Sequence, residues 1–340
     1  MTGSHSDTVV NGGRFDGIAG VVAGLEVAQV LTENHEQMNH PLEVIDFLGE
    51  EPSDYGVSCI GSQALVGEVT QEMLEKKAPN GTSLAQGINS MGGDSSLLSK
   101  PVRLKGSIAG FFELHIEQGP TLELAKLPIG IVTDIVGITR TAIEIKGQAD
   151  HAGTTPMEKR RDALVGAAHI ILHTNMRACA KLSSPKYLVA TIGKLSVQPN
   201  NANVVPGNVE LILEVRSSSD QVTNSFLNEI QQYGRKMADS QKLDININQL
   251  SYSPPTPCSK LIQTTIKQAC EKNKLPHQSL SSGAGHDTRY MTEICPSGMI
   301  FIPSIDGRSH CPDESITPEQ LSNGVAILID AIKIYDSINL

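Results

Sequence analysis

The chain has 340 residues, 39% of them hydrophobic, and a net charge of −10. That length allows two domains, while the acidic balance and the lack of a Lys/Arg cluster argue against a nucleic-acid partner. No apolar run reaches the ~20 residues of a membrane span, no signal peptide is read at the start, and six scattered cysteines without a CxxC suit a reducing cytoplasm better than a disulfide frame.

The chain opens with "MTGSHSDTVVNGGRFDG". A strand through H-x-D would put His5 and Asp7 on one face, since side chains alternate with period two. A carboxylate beside a histidine fixes its tautomer and makes it a better metal ligand. Alone, such a pair is commonplace on protein surfaces. Gly17 to Thr32 reads as a helix with a small-residue face. The apolar runs "PLEVIDFLG" (41–49), "IAGFFELHIEQ" (108–118) and "PIGIVTDIVG" (128–137) read as buried strands. The stretch 52–107 is Gly/Ser-rich with short helical pieces. Strands alternating with helices give an α/β core.

From Ile138 the pattern changes. "ITRTAIEIKG" reads as a strand, "RDALVGAAHIILHTNMRACAKL" as a helix, and "YLVATIGKLSVQ" and "NVELILEVRS" as strands. "QVTNSFLNEIQQYGRKMA" then reads as a helix and "KLDININQL" as a strand. The order β-α-β-β-α-β is the split-βαβ sandwich, so 138–252 is expected to be a domain inserted into a core made of 1–137 and 253–340. After "SYSPPTP" the core resumes with a helix near 258–273, a strand in "GMIFIPS", and a last helix. That helix has Thr317 as N-cap and Pro318 at its first position.

Several side chains at the ends of the core elements carry chemistry. "GEEP" puts Glu50 and Glu51 at a strand end, where α/β proteins place their sites. One of the two could bind a metal while the other takes a proton. His115 sits within an apolar strand, and His310 in the loop "GRSHCPDE". Singly, these are ordinary core and loop residues. Together His5, Asp16, Glu51, His115 and His310 all fall in the α/β core and none in the insert. Histidines with carboxylates suit zinc or manganese, and a carboxylate such as Asp16 can bridge two ions. Other motifs fail. His115-Ile116-Glu117 lacks the P-C-x-x-C of zinc deaminases. "HEQMNH" is one residue too long for a zincin, and no G-x-S-x-G is present.

The segments "GSHSDTVVNGGRFDG", "EVIDFLGEEPSDYG", "FFELHIEQGP", "GQADHAGTTPMEKRRD", "NANVVPGNVELILEVR", "SSGAGHDT" and "FIPSIDGRSHCPDE" span nearly the whole chain. They resemble the metal-dependent amidohydrolases of the aminoacylase/carboxypeptidase superfamily. The branch is the one with N-carbamoyl-L-amino acid hydrolase, allantoate amidohydrolase and β-ureidopropionase. The resemblance implies an α/β/α core of the two-metal exopeptidase kind, with the insert as lid and dimerisation domain of a cytoplasmic homodimer. It implies one ion on His5, Asp16 and His115 and another on Asp16, Glu51 and His310. Glu50 would be the general base and Asp7 would orient His5. Gln118, Asn203, Arg216 and His286 would contact substrate, and His151 would reach into the neighbouring subunit's site. The implied reaction is cleavage of a carbamoyl (ureido) C–N bond in a small carboxylate, releasing ammonia and carbon dioxide. A peptidase or deacylase of the same superfamily, or a truncated chain that binds metal without turnover, are the other readings. Where the family commonly has E-E-G-x-R-F this chain has "EEPSDYG", a difference that bears on substrate choice. Relatives also carry a segment ahead of the H-x-D strand, which is expected to cover or extend the sheet beside it.

Overall fold

A computed structural model describes residues 1–98, 100–180 and 186–338. In chain order the strands are β1 (Thr2–His5), β2 (Val44–Phe47), β3 (Phe111–Ile116), β4 (Ile129–Ile135), β5 (Gly137–Lys146), β6 (Leu188–Gln198), β7 (Asn208–Ser217), β8 (Asp244–Ser253), β9 (Thr256–Pro257), β10 (His277–Ser282) and β11 (Ser297–Ile302). The helices are α1 (Ile18–Glu33), α2 (Ile60–Val66), α3 (Gln71–Glu75), α4 (Leu84–Ser90), α5 (Thr121–Ala125), α6 (Ala163–Cys179), α7 (Asp220–Gln241), α8 (Lys260–Lys272), α9 (Thr288–Met291) and α10 (Pro318–Asp336). Two compact units result: Met1–Ile135 with Pro257–Leu340, and Val136–Thr256.

The first unit is α/β, as expected. Its main sheet has the order β10-β4-β11-β3-β1-β2. β1 runs parallel to both β2 and β3, and β11 parallel to β3. The H-x-D strand therefore lies inside the sheet, paired on both sides. β3 is buried along its whole length, which explains its mostly apolar run; its two polar residues, Glu113 and His115, are buried too. Phe112, Leu114 and Ile116 pack with residues of α1, α8 and α10. Phe111 joins Met291 and Ile294 in a second cluster, and Leu122 of α5 packs with Val132 and Phe301 in another. Long helices thus cover one face and short helices the other, giving three layers. The sequence signal was strongest at α10. Thr317 caps it by accepting from Gln320 N, the Gln320 side chain returns the bond, and Pro318 follows the cap.

The second unit follows β-α-β-β-α-β. Its sheet, ordered β6-β7-β5-β8, is antiparallel throughout. Ile143, Ile145, Val209, Leu211, Leu213 and Val215 meet Ala163, Ala167 and Ile170 of α6 and Phe226, Ile230 and Met237 of α7. Asp162 caps α6 by accepting from Leu164 N and Val165 N. The helix expected there extends to Lys181 and Leu182, which lie outside the described residues. Among the described residues no helix is long and apolar enough to cross a membrane.

Candidate metal centre

The C-terminal ends of the parallel strands place the site. His5 is the last residue of β1 and His115 the fifth of β3. Glu50 and Glu51 follow β2, and His310 lies in the loop after β11. Asp16 comes just before α1. The turn between them depends on Gly17, whose φ is +69° and whose missing Cβ would lie 2.4 Å from the His5 ring. Any side chain there would both strain the backbone and displace the histidine.

Asp16, 4% exposed, sits at the middle of the cluster. Its Oδ1 faces His115 Nε2 at 3.1 Å and His5 Nε2 at 3.8 Å. Its Oδ2 faces His310 Nε2 at 3.1 Å, and His310 Nε2 is also 3.0 Å from Glu51 Oε1. The carboxylate thus splits between two donor sets: His5, Asp16 and His115, and Asp16, Glu51 and His310. Each set has ligand atoms close enough to share one cation. A third set, Glu113 with His115 and His286, also meets that criterion. There, however, the carboxylate of Glu113 is taken by the Ser4 hydroxyl and by the backbone N–H and hydroxyl of Thr288.

The donor atoms fit a divalent metal. His5 Nδ1 lies 3.0 Å from the Asp7 carbonyl and His115 Nδ1 2.8 Å from the Ile116 carbonyl. Carbonyls only accept, so both Nδ1 atoms carry the proton and both Nε2 lone pairs point at Asp16. His115 Nε2 and Glu51 Oε1 are buried and make no hydrogen bond despite their short approaches. Unsatisfied buried acceptors are costly, and a cation would use both. Charge points the same way. Burial opposes a proton on His5, yet Asp7, Glu50, Asp287 and Asp16 outweigh it and push its pKa up to about 10. At His310 the facing carboxylates of Asp16 and Glu51 raise it to about 10. For Asp16, burial pushes upward, but His115, His310 and His5 prevail and hold it well below the usual carboxylate range. A site that holds positive charge this firmly on its histidines has the field to hold a metal in its place.

Asp7 does not share a strand with His5, as the period-two argument required. β1 ends at His5, and Asp7 lies in the loop beyond. The loop turns back, so the Asp7 carbonyl rather than its carboxylate makes the closer contact, with Oδ1 at 3.4 Å. The carboxylate instead accepts the N–H groups of Glu50 (3.1 Å) and Glu51 (3.0 Å). Glu50 belongs to neither donor set. Its Oε2 is 3.9 Å from His5 Nε2, and its Oε1 accepts the Cys59 thiol at 3.3 Å. Burial, opposed by His5 and aided by Glu51, lifts its pKa to about 7.

Of the expected substrate contacts, Gln118 and His286 border this cluster. Gln118 Nε2 donates to Asp16 Oδ2 at 2.7 Å, and its Oε1 is buried without a hydrogen bond. His286 packs edge-on to His115, with ring centroids 4.6 Å apart. Burial and the neighbouring His115 hold its pKa well below the ordinary histidine value, so it is neutral. His151, Asn203 and Arg216 belong to the second unit. His151 bridges to Val204 next to Asn203, and the Ala152 N–H donates to the Asn203 carbonyl. Its Nδ1 accepts from Gly153 N and Thr154 N, which leaves Nε2 as the protonated donor. Arg216 is oriented by Glu214, whose Oε1 accepts from its Nε at 2.8 Å. β5 pairs Ile138 with Arg216 and Lys146 with Asn208. Asn208 and Arg216 are therefore about 27 Å apart at the usual strand rise, and the His151–Asn203 turn lies beyond the Asn208 end of this sheet.

Sequence reasoning missed the residues behind the ligands. Asp287 accepts from the Ser62 hydroxyl, and Glu314 accepts from Phe15 N and Asp16 N. Both lie in quoted motifs, but no local spacing announces contacts across 200 or more residues.

The family model for Peptidase family M20/M25/M40 matches residues 1–334. An N-carbamoyl-L-amino acid amidohydrolase of Geobacillus stearothermophilus is 38% identical over 332 residues, covering 98% of this chain and 80% of that protein. An allantoate amidohydrolase of Escherichia coli (strain K12) is 33% identical over 336 residues, with the same coverage of 98% and 80%. The crystal structure of a hydantoinase/carbamoylase family amidase from Burkholderia multivorans is similar with a TM-score of 0.89 at 34% identity, covering 99% of this chain and 81% of that one.

Proposed function

The chain belongs to peptidase family M20/M25/M40, and on that premise we propose that it hydrolyses the carbamoyl (ureido) C–N bond of an N-carbamoyl-L-amino acid or of allantoate. Ammonia and carbon dioxide are the released products. The observation that carries the reading is the split of Asp16 between two donor sets. The substrate class is supported by relatives named for those two activities, at 38% and 33% identity over nearly the full chain.

His5, Asp16 and His115 would hold one zinc or manganese ion, and Asp16, Glu51 and His310 a second. Such ions, when bound, lower the pKa of water and polarise a carbonyl. Glu50, outside both sets, takes the proton of the attacking water at its carboxylate and passes it to the leaving nitrogen. Arg216 grips the substrate carboxylate through its planar fork. His151, with Nε2 as donor, stabilises the oxyanion of the tetrahedral intermediate. A small ureido acid cannot touch both ends of a sheet about 27 Å long. That separation supports a homodimer in which the two ends of this sheet serve the sites of different subunits, His151 acting in the partner's. The six cysteines, all unpaired, fit a cytoplasmic enzyme.

The test is an ammonia-release screen with metal-stripped protein, reloaded separately with zinc and manganese. The substrates are N-carbamoyl-L-amino acids, allantoate and ureidoglycolate, with an N-acetyl amino acid and a dipeptide as controls. Release from at least one ureido compound is expected. For the acetyl and peptide controls, which release no ammonia, the freed amino group is read instead, and cleavage of those alone would replace this reading with that of a deacylase or peptidase.

A further inference from the structure

Glu314 is outside both donor sets, yet it is 1% exposed and spends its carboxylate on the two segments that carry ligands. Its Oε1 accepts the backbone N–H groups of Phe15 and Asp16, each at 2.9 Å. Its Oε2 accepts the hydroxyl of Ser309 at 2.7 Å. Ser309 directly precedes His310, and its hydroxyl oxygen is also 3.0 Å from Asp16 Oδ2. A hydroxyl has one proton, so it cannot fully serve two carboxylates. The shorter contact is to Glu314, which leaves the Asp16 lone pair available to a cation. The approach is close: a Cβ on Gly13 would fall 2.1 Å from Glu314 Oε1. Glycine at 13 is what lets the 13–16 loop close over the carboxylate.

We propose that Glu314 is a positioning residue of the metal centre. By tying the Phe15–Asp16 backbone to Ser309 it holds the Asp16 carboxylate between His115 and His310. Without it the loop before α1 and the loop after β11 lose their common anchor, although every ligand side chain is still present. Carboxylates that orient ligands in this way typically contribute 10–100-fold to metal affinity. The inference rests on the reading of Asp16 as the shared ligand.

The experiment measures zinc affinity of the metal-stripped full chain by competition with a chromophoric chelator, with the melting temperature of the metal-free protein read alongside. Glu314→Ala is expected to bind zinc about 10–100-fold more weakly. Glu314→Gln keeps an oxygen for both amides and is expected to recover most of that loss. Ser309→Ala, a small change that leaves the packing intact, is expected to cost about tenfold. Wild-type affinity in Glu314→Ala overturns the proposal, and so does a glutamine variant no better than the alanine one. Should Glu314→Ala fail to fold, wild-type affinity in Ser309→Ala overturns it alone. Asp16→Asn separates the two levels. If Asp16→Asn binds zinc normally, the metal assignment itself falls. If it loses zinc while Glu314→Ala keeps it, only the positioning role falls.

Discussion

Exchanging Glu50 for glutamine keeps the shape of the side chain and removes its capacity to take a proton. Glu50 is 8% exposed and stands outside both donor sets. Its contact with the Cys59 thiol can be kept by the amide oxygen, and its backbone carbonyl still accepts from Cys59 N. Neither the metal ligands nor the local fold should therefore change. What is lost is general-base and general-acid action at one atom, worth about 10²–10⁴ in rate. At about 1.4 kcal/mol per factor of ten, that is about 3–5 kcal/mol of barrier. The assay is ammonia release at saturating substrate, with metal content measured on the same preparation. The expected result is full metal, little change in KM, and kcat down by at least about a hundredfold. Retention of about a tenth of kcat would refute the base assignment, because a general base is typically worth about a hundredfold or more. Loss of metal together with activity would mean that Glu50 and Glu51 have exchanged roles.

Three other outcomes follow from the same geometry. Arg216→Lys should raise KM about tenfold for a carboxylate substrate and leave metal content alone, since lysine keeps the charge but loses the fork that Glu214 orients; an unchanged KM would remove Arg216 from the site. Mixing inactive His151→Ala with inactive Glu50→Gln should restore about a quarter of wild-type activity once subunits exchange, because half the dimers then hold one intact site of two; no recovery after proven exchange would count against action across the interface. Asp336→Ala should cost about 2–3 kcal/mol at pH 7, because that carboxylate accepts from Asn39 N, His40 N and His40 Nδ1 and so ties the end of α10 to the loop after α1. Burial works against its charge, but those bonds hold its pKa below the ordinary carboxylate value. The contribution is therefore present above about pH 4 and fades as pH falls through the lower folded value. Urea melts of wild type and variant at pH 7 and pH 3 check this, and a gap that stays constant would refute it.

The parts of this molecule that were legible in the sequence are those fixed by local chemistry. The buried strands read as apolar runs, and α10 announced itself through Thr317 and Pro318. β10 did not. His277–Ser282 is a half-buried edge strand of mostly polar residues, and a strand paired on one side has no need of an unbroken apolar run. The candidate ligands were legible only as a set, because His5, Asp16, Glu51, His115 and His310 all fall in or beside the elements whose strand ends carry sites in α/β folds. Glu314 and Asp287 were not, because what they do is set by contacts with residues hundreds of positions away.

Distance was the other thing the sequence could not supply. Asn203 and Arg216 are thirteen positions apart in the chain, and both read as contacts for one small substrate. The register fixes how far Arg216 is from Asn208, the strand start that follows the Asn203 turn. β7 runs unbroken from Asn208 to Ser217, paired on both sides, so its ends cannot fold toward each other. A side chain near the start of that strand and one near its finish are held about 27 Å apart by backbone hydrogen bonding alone. If both residues touch substrate, they touch it in different places or in different subunits. Only the second option lets two small residue sets converge on one ureido acid, and so the stiffness of a single strand, more than any interface, makes the dimer part of the catalytic proposal.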